Sequence, residues 1–598
     1  MDCPRLDHAA VGNGRVLALV APTTAIEWLC LPRFDSPTVF ASLLDRERGG
    51  SFTITLGTEA RAGQSAYLAN SNVLRTVLED GPHAVEVIDF APRTFGARGR
   101  IDAPRELIRI VRPLRGQPGI QVRFDPRPDY ARRDAQLVAS AAGLMVAGHD
   151  RAVFLHSNVA PDHLLAGRVV PVRAPLYFVL RHGVPGDPPS LAEVELAERE
   201  TTRAWRVWAQ TCALPSFAPA AVLRSALCLK LHVYEDTGAI IAAATTSIPE
   251  ALGTPRTWDY RYCWLRDAAF VVEALRRLSH LAEGERFISF LRDVAEAGPL
   301  QPLYGIAGER ELPESTLDHL AGFAGTGPVR IGNAAAVQQQ NDLHGELILC
   351  LQTVLLDPRI IVEDADAYWP LVERLVEEAI VLAPMPDTGI WEFRAIPRPY
   401  TFSRAMCWAA VQRGAEVATH LGHHDVAARW RTIADREREV VLARGFNPTL
   451  GAFTQALDGQ HPDAANLLLP SIGLIDARDP RFLSTLDVYA RTLGHSGLML
   501  RYQNADDFGE TTSAFTMCSF WWAEALAMAG RIDDAITVFE RVVAHANPHG
   551  LFSEDIDPAT GALLGNFPQA YTHVGLIHAA MTIAEMREAR DGRARAWT

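Results

Sequence analysis

The side chains able to do chemistry are concentrated in a few short segments. The densest is Thr257-Trp258-Asp259-Tyr260-Arg261-Tyr262-Cys263-Trp264-Leu265-Arg266-Asp267, with four charged and four aromatic residues just ahead of a helical window. Aromatic faces stack on the apolar faces of sugar rings, while Asp and Arg take hydroxyls in charge-assisted hydrogen bonds. The same composition also fits an aromatic core patch with an internal Arg–Asp pair. A second segment, Gly389-Ile390-Trp391-Glu392-Phe393-Arg394, sets a carboxylate beside an indole on a short loop. Partial desolvation there would raise the carboxyl pKa and suit a general acid, although a surface glutamate reads the same way. A third, Gly550-Leu551-Phe552-Ser553-Glu554-Asp555-Ile556-Asp557, brings another carboxylate cluster, which also fits a solvated acidic turn. Leu500-Arg501-Tyr502 opens a further charged and aromatic loop.

Other chemistries find little support. The chain has no Gly-x-Ser-x-Gly elbow, Walker loop or Gly-x-Gly-x-x-Gly fingerprint. Its eight cysteines include no Cys-x-x-Cys pair, and the Asp555/Asp557 alternation lacks the rest of a calcium loop. No metal and no cofactor are expected. A formal charge of −14 argues against tracking nucleic-acid phosphates. Without an 18-residue apolar run or a signal pattern after Met1, neither a membrane span nor export is expected, and the reading is cytoplasmic.

Two kinds of segment must position these loops. Up to about residue 190, short runs such as Arg15–Ala21, Ala25–Leu31, Ser51–Leu56, Ala84–Phe90, Arg105–Val111 and Val169–Leu180 alternate with Gly/Pro turns. They predict an antiparallel β-sandwich over 1–190. Leu191–Leu214 reads as a helix within a linker, 191–217. Beyond it, windows including Ala218–Leu231, Ala268–Leu278, Asp342–Leu356, Ser403–Leu421, Val426–Ala443, Phe515–Ala529 and Tyr571–Glu588 carry apolar residues at three-to-four spacing. Gly422, Gly445 and Gly530 fall where helix C-terminal glycines belong. Helices alternating with loops predict pairs packed in a ring over 218–598, or a solenoid.

In their order along the chain, these segments resemble glycoside hydrolase family 15, the glucoamylase and trehalase family. The similarity extends to Ala25–Pro37 and to Gln338–Glu346, Asp463–Gly473 and Cys518–Trp522. It implies a mainly α protein, with an all-β N-terminal domain and an (α/α)6 barrel. It further implies that Glu392 is the general acid and Glu554 the general base. Trp264, Arg266, Asp267, Trp391 and Arg501 would bind glucose, with Asp342 and Glu346 as pocket neighbours. The expected reaction is inverting, exo-acting hydrolysis of a small α-glucoside such as trehalose or malto-oligosaccharides, releasing β-D-glucose. Glu392 would sit protonated in the drier setting and Glu554 ionised and hydrated. Hydrolysis of isomalto-linkages, or a non-catalytic sugar-binding or sensing role on the same barrel, are the alternatives. Thr511-Thr512-Ser513-Ala514 replaces a shorter turn usual in the family, and so leaves specificity open.

Overall fold

The computed structural model describes residues 5–96, 101–140, 143–147, 153–184, 186–360 and 365–592. The N-terminal strands form two antiparallel sheets, one of seven strands and one of eight. The first is built around Leu17–Val20, Ile26–Cys30 and Ser51–Leu56. The second centres on His83–Phe90, Glu106–Arg115 and Leu176–His182. Side chains alternate across a strand, and both faces are used here. Leu107 and Val111 join Val85, Val87, Phe52 and Ile54 between the sheets. Ile108 and Ile110 point the other way, into the core shared with the helices. The predicted run Val169–Leu180 is two strands, Val170–Pro171 and Leu176–His182, in different sheets. Strands at Ala9–Gly12, Gln64–Tyr67 and Gln136–Ser140 were not foreseen.

One ion pair lies inside the sandwich. Arg109 donates to Asp89 from Nε at 2.7 Å, and both side chains are fully buried. It also reaches the Phe52 and Thr24 carbonyls of the facing sheet, at 2.7 and 2.5 Å. Removing the cation would strand a buried carboxylate. Arg109→Met is therefore expected to destabilise the protein by about 3–5 kcal/mol, read as a lower denaturant midpoint. An unchanged midpoint would mean that the pair adds nothing.

The helix Leu191–Gln210 begins at a capping box, with Ser190 accepting from the Glu193 amide and Glu193 accepting from the Ser190 amide. Six inner elements then follow: Leu265–Arg277, Leu343–Leu355, Thr401–His420, the short 3-10 turn Ala464–Leu468, Thr516–Met528 and Ala570–Arg590. Each packs on the next, and the last packs back on the first, so the ring closes and the solenoid reading falls. Pro219–His232, Ala282–Glu296, Trp369–Leu382, His424–Arg444, Pro480–Thr492 and Ile532–Val543 pack outside them. The pattern of burial separates the two layers. Thr516–Met528 is apolar and buried almost all round, whereas Ile532–Val543 buries only the stripe Ile532, Ala535, Val538, Phe539 and Val542. Gly422 and Gly530 adopt the left-handed conformation expected past a helix end. Gly445 does not: its φ is −76°, and it stays glycine because a Cβ would meet the Val441 carbonyl at 2.6 Å.

Sheet and ring meet through the middle of the aromatic segment. Arg261 and Asp259 pair at 2.6 Å, both fully buried, and Arg261 donates on to Tyr130 and to the Ser36 carbonyl. Trp28 donates to the Ala244 carbonyl across the same boundary. Arg33 and Asp35 also lie there, with Asp35 accepting from the Ile306 amide.

Candidate active site

The inner helices Leu265–Arg277, Thr516–Met528 and Ala570–Arg590 bring their N-terminal ends to one pocket. All seven residues singled out in the sequence line it: Trp264, Arg266, Asp267, Trp391, Glu392, Arg501 and Glu554. Asp342 and Glu346 do not. They sit buried behind Arg266, with Asp342 at 3.4 Å from its guanidinium.

Glu392 occupies the tip of a compact loop. Its own φ is +60°, a strained region for a residue with a side chain. The loop is fixed by the Phe393 amide donating to the Thr388 carbonyl and by a bridge between Asp387 and Arg398. Gly389 opens it at φ +65°, where a Cβ would strike the Tyr400 ring. One oxygen of Glu392 accepts from Trp264 Nε1 at 2.7 Å, Gln340 Nε2 at 3.1 Å and Arg266 Nη2 at 3.3 Å. The indole that touches the carboxyl is thus Trp264, not the adjacent Trp391. Trp391 turns away and donates to Asp463 at 2.9 Å. Asp463 is pushed up to about 6 by burial.

Glu554 lies on the other side of a pair of rings. Tyr260 donates its hydroxyl to Glu554 at 2.8 Å and packs edge-on against Trp264, with centroids 5.2 Å apart. The Asn566 amide covers the second oxygen at 3.4 Å. Gly565 must lack a side chain, because a Cβ would come within 2.6 Å of Glu554 Cβ. Burial holds the Glu554 carboxyl well above the usual carboxylate range, reinforced by the negative charges of Glu250 and Asp555 and opposed by Arg501. Asp555 is pushed up to about 7, again chiefly by burial.

This reverses the expected contrast in burial. Glu554 is 1% exposed, whereas the Glu392 side chain keeps 21%. The Trp–Glu dipeptide misled because the partner indole comes from another loop.

Arg501 pairs with Glu250 and lies 5.3 Å from the Phe515 ring centroid. Glu250 also accepts from Trp258 Nε1 at 2.7 Å. One buried oxygen of Asp267 has no close hydrogen bond, only the Arg266 guanidinium at 3.4 Å, and burial pushes the carboxyl up to about 6. Sequence reasoning passed over Glu250, Arg256, Asp506 and Tyr571, all of which line the pocket. Glu250 follows an apolar stretch, and nothing local marks it. Thr511–Ala514 supports the site from behind: Ser513 donates to Asp555, and Thr511 to the Tyr502 carbonyl.

Residues 217–581 match the family model described as glycosyl hydrolases family 15, and residues 2–167 match the model described as trehalase-like, N-terminal. The chain belongs to glycoside hydrolase family 15. It is 35% identical to a trehalase of Mycolicibacterium smegmatis, covering 98% of this chain and 92% of that protein. A trehalase of Thermoplasma volcanium is 33% identical over 97% of this chain and 93% of its own length. A bacterial glucoamylase complexed with acarbose superposes with a TM-score of 0.71 at 15% identity, covering 100% of this chain and 96% of that one, and so shares the two-part fold. This family 15 enzyme is therefore a glycoside hydrolase of the trehalase/glucoamylase type. Among its described residues, no helix is long and apolar enough to cross a membrane.

Proposed function

We propose that this enzyme hydrolyses α,α-trehalose with inversion, Glu392 acting as general acid and Glu554 as general base. The observation that carries the reading is the placement of both carboxyls on one pocket, with Tyr260 and Trp264 between them. Glycosidic cleavage passes through an oxocarbenium-like state. An inverting pair stands roughly 6.5–9.5 Å apart so that a water fits beside the base. Glu392 delivers the proton to the leaving oxygen. Glu554, directed by the Tyr260 hydroxyl, takes one from the attacking water. Trp264, Arg266, Asp267, Trp391 and Arg501 hold the terminal glucose, and the fixed carboxylate–guanidinium pairs supply orientation in advance.

The choice of trehalose follows the curated relatives, named trehalases, which run nearly end to end with this chain. The same reading divides the chain into a sandwich over 1–190, a linker over 191–217 and a barrel over 218–598. It places the enzyme in the cytoplasm, a location supported by the seven cysteines among the described residues, all unpaired and six of them buried.

Purified enzyme is expected to release glucose from trehalose, and proton NMR of the earliest product should show equal α- and β-anomers. One glucose leaves with its α-configuration retained, and the other forms as β by inversion. Only α-glucose at early times would mean retention. Turnover of maltose or isomaltose instead of trehalose would reassign the linkage, and tight sugar binding without turnover would favour a sensing role.

A further inference from the structure

The pocket is deeply buried at one end and rimmed at the other. Arg266, Asp267 and Glu554 are buried, whereas Trp258, Asp507 and Phe508 are half-buried and Arg394 is exposed. An exo-acting hydrolase seats the terminal glucose at the closed end, so the leaving sugar faces this rim. The rim is fastened from several directions. The Asp507 carboxylate accepts from the Arg394 and Ala395 amides, at 2.5 and 3.0 Å. Those amides follow Glu392 in the chain by two and three residues. The Arg394 guanidinium lies over Trp258 at 4.7 Å and Phe508 at 5.6 Å, and forks onto Glu314 at 3.1 and 2.7 Å. Trp258 and Phe508 meet edge-on at 5.0 Å. At the root of the loop, Asp506 takes Arg256 at 2.8 and 2.6 Å and the Tyr502 hydroxyl at 2.6 Å.

We infer that the 504–510 loop is a strap across the leaving-group sugar, latched by Asp507 and by the Arg394–Glu314 fork, and that it limits the substrate to two sugar units. The inference rests on the trehalose reading above. A third sugar would have to pass between Phe508, Arg394 and Trp258, breaking these contacts without replacing them. A disaccharide needs the strap open only for entry and exit. Loop gating of this kind moves KM and kcat together. Because Asp507 binds the backbone beside Glu392, closing the strap also steadies the acid. Asp506 is the hinge-side anchor, since its partners Arg256 and Tyr502 are buried.

The test compares kcat/KM for α,α-trehalose with that for the trisaccharide in which one of its glucoses carries a further α-1,4-glucose. Full-length wild type, Asp507→Ala and Glu314→Gln are measured, each checked by thermal melting. Wild type should disfavour the trisaccharide by about 100-fold. Both variants should raise the trisaccharide-to-trehalose ratio by about 10-fold, while losing part of their activity on trehalose. An unchanged ratio in both folded variants, or a wild type that cleaves both sugars equally, overturns the strap while trehalose hydrolysis stands. A wild type that cleaves neither sugar overturns the trehalose reading and the strap with it.

Discussion

Glutamine in place of Glu392 is expected to lower kcat for trehalose by about 10³-fold, with the fold retained. Glutamine keeps the shape and can still accept from Trp264 and Gln340, whose hydrogen bonds to Glu392 are 2.7 and 3.1 Å long. It cannot give up a proton, so the leaving glucose would depart as an unprotonated alkoxide. α-D-Glucosyl fluoride separates this role from others, because fluoride departs without general-acid help. Its turnover by Glu392→Gln should stay within about 10-fold of wild type. Equal losses on both substrates would assign Glu392 to binding or to a base role. Arg266 keeps the Asp342 and Asp267 carboxylates, each at 3.4 Å, whichever side chain stands at 392. Collapse of the pocket is therefore not the expected cause of the loss.

How far this site could be read from the sequence depended on what each residue needs from distant segments. The segment Trp258–Asp267 supported two readings, and the structure divides it between them. Asp259 and Arg261 form the internal ion pair at the sheet–ring boundary, while Trp264, Arg266 and Asp267 line the pocket. Local composition cannot make that division: Trp258 and Tyr260 face the pocket while Asp259 and Arg261, alternating with them, pair at the boundary, and the helix starting at Leu265 carries Arg266 and Asp267 back to the pocket. Glu250 was invisible as a functional group, and the pairing of Tyr260 with a catalytic carboxyl could not be foreseen, for a similar reason: their partners, Arg501 and Glu554, lie about 250 and 290 residues away. The ring itself was legible where helices are long and periodic. Ala282–Glu296 was missed although Phe287, Ile288, Leu291 and Val294 carry helical spacing, because Gly284 and flanking charges break the window. Gly284 is there to let Val272 approach: a Cβ would stand 3.0 Å from its side chain. The fourth inner element, Ala464–Leu468, is one short 3-10 turn, too brief for any periodicity to show. The sixfold count could therefore come only from the family resemblance.

Glu554→Gln is expected to do two opposite things: lower turnover by about 10³-fold on both trehalose and glucosyl fluoride, and raise stability at alkaline pH. The loss on both substrates follows from the base role, since water must be activated whatever group leaves. The gain follows from the surroundings. Glu554 is buried against the negative charges of Glu250 and Asp555, and its carboxyl is held well above 4.5. A carboxyl whose folded pKa is raised binds more protons in the folded than in the unfolded state between the two values. Stability then falls as pH climbs from about 4.5 through the folded pKa, and is fully retained only below that window. Glutamine has no charge to desolvate and still accepts from Tyr260. The variant should therefore melt higher than wild type at pH 8, by roughly 1–3 °C, with the difference shrinking towards pH 4. The enzyme would thus hold its base in a setting that costs fold stability, because a buried carboxylate with one tyrosine donor is a stronger proton acceptor than a solvated one. A variant that melts no higher than wild type at pH 8 would mean that Arg501 already compensates the buried charge, and the rate loss would then stand without a stability cost behind it.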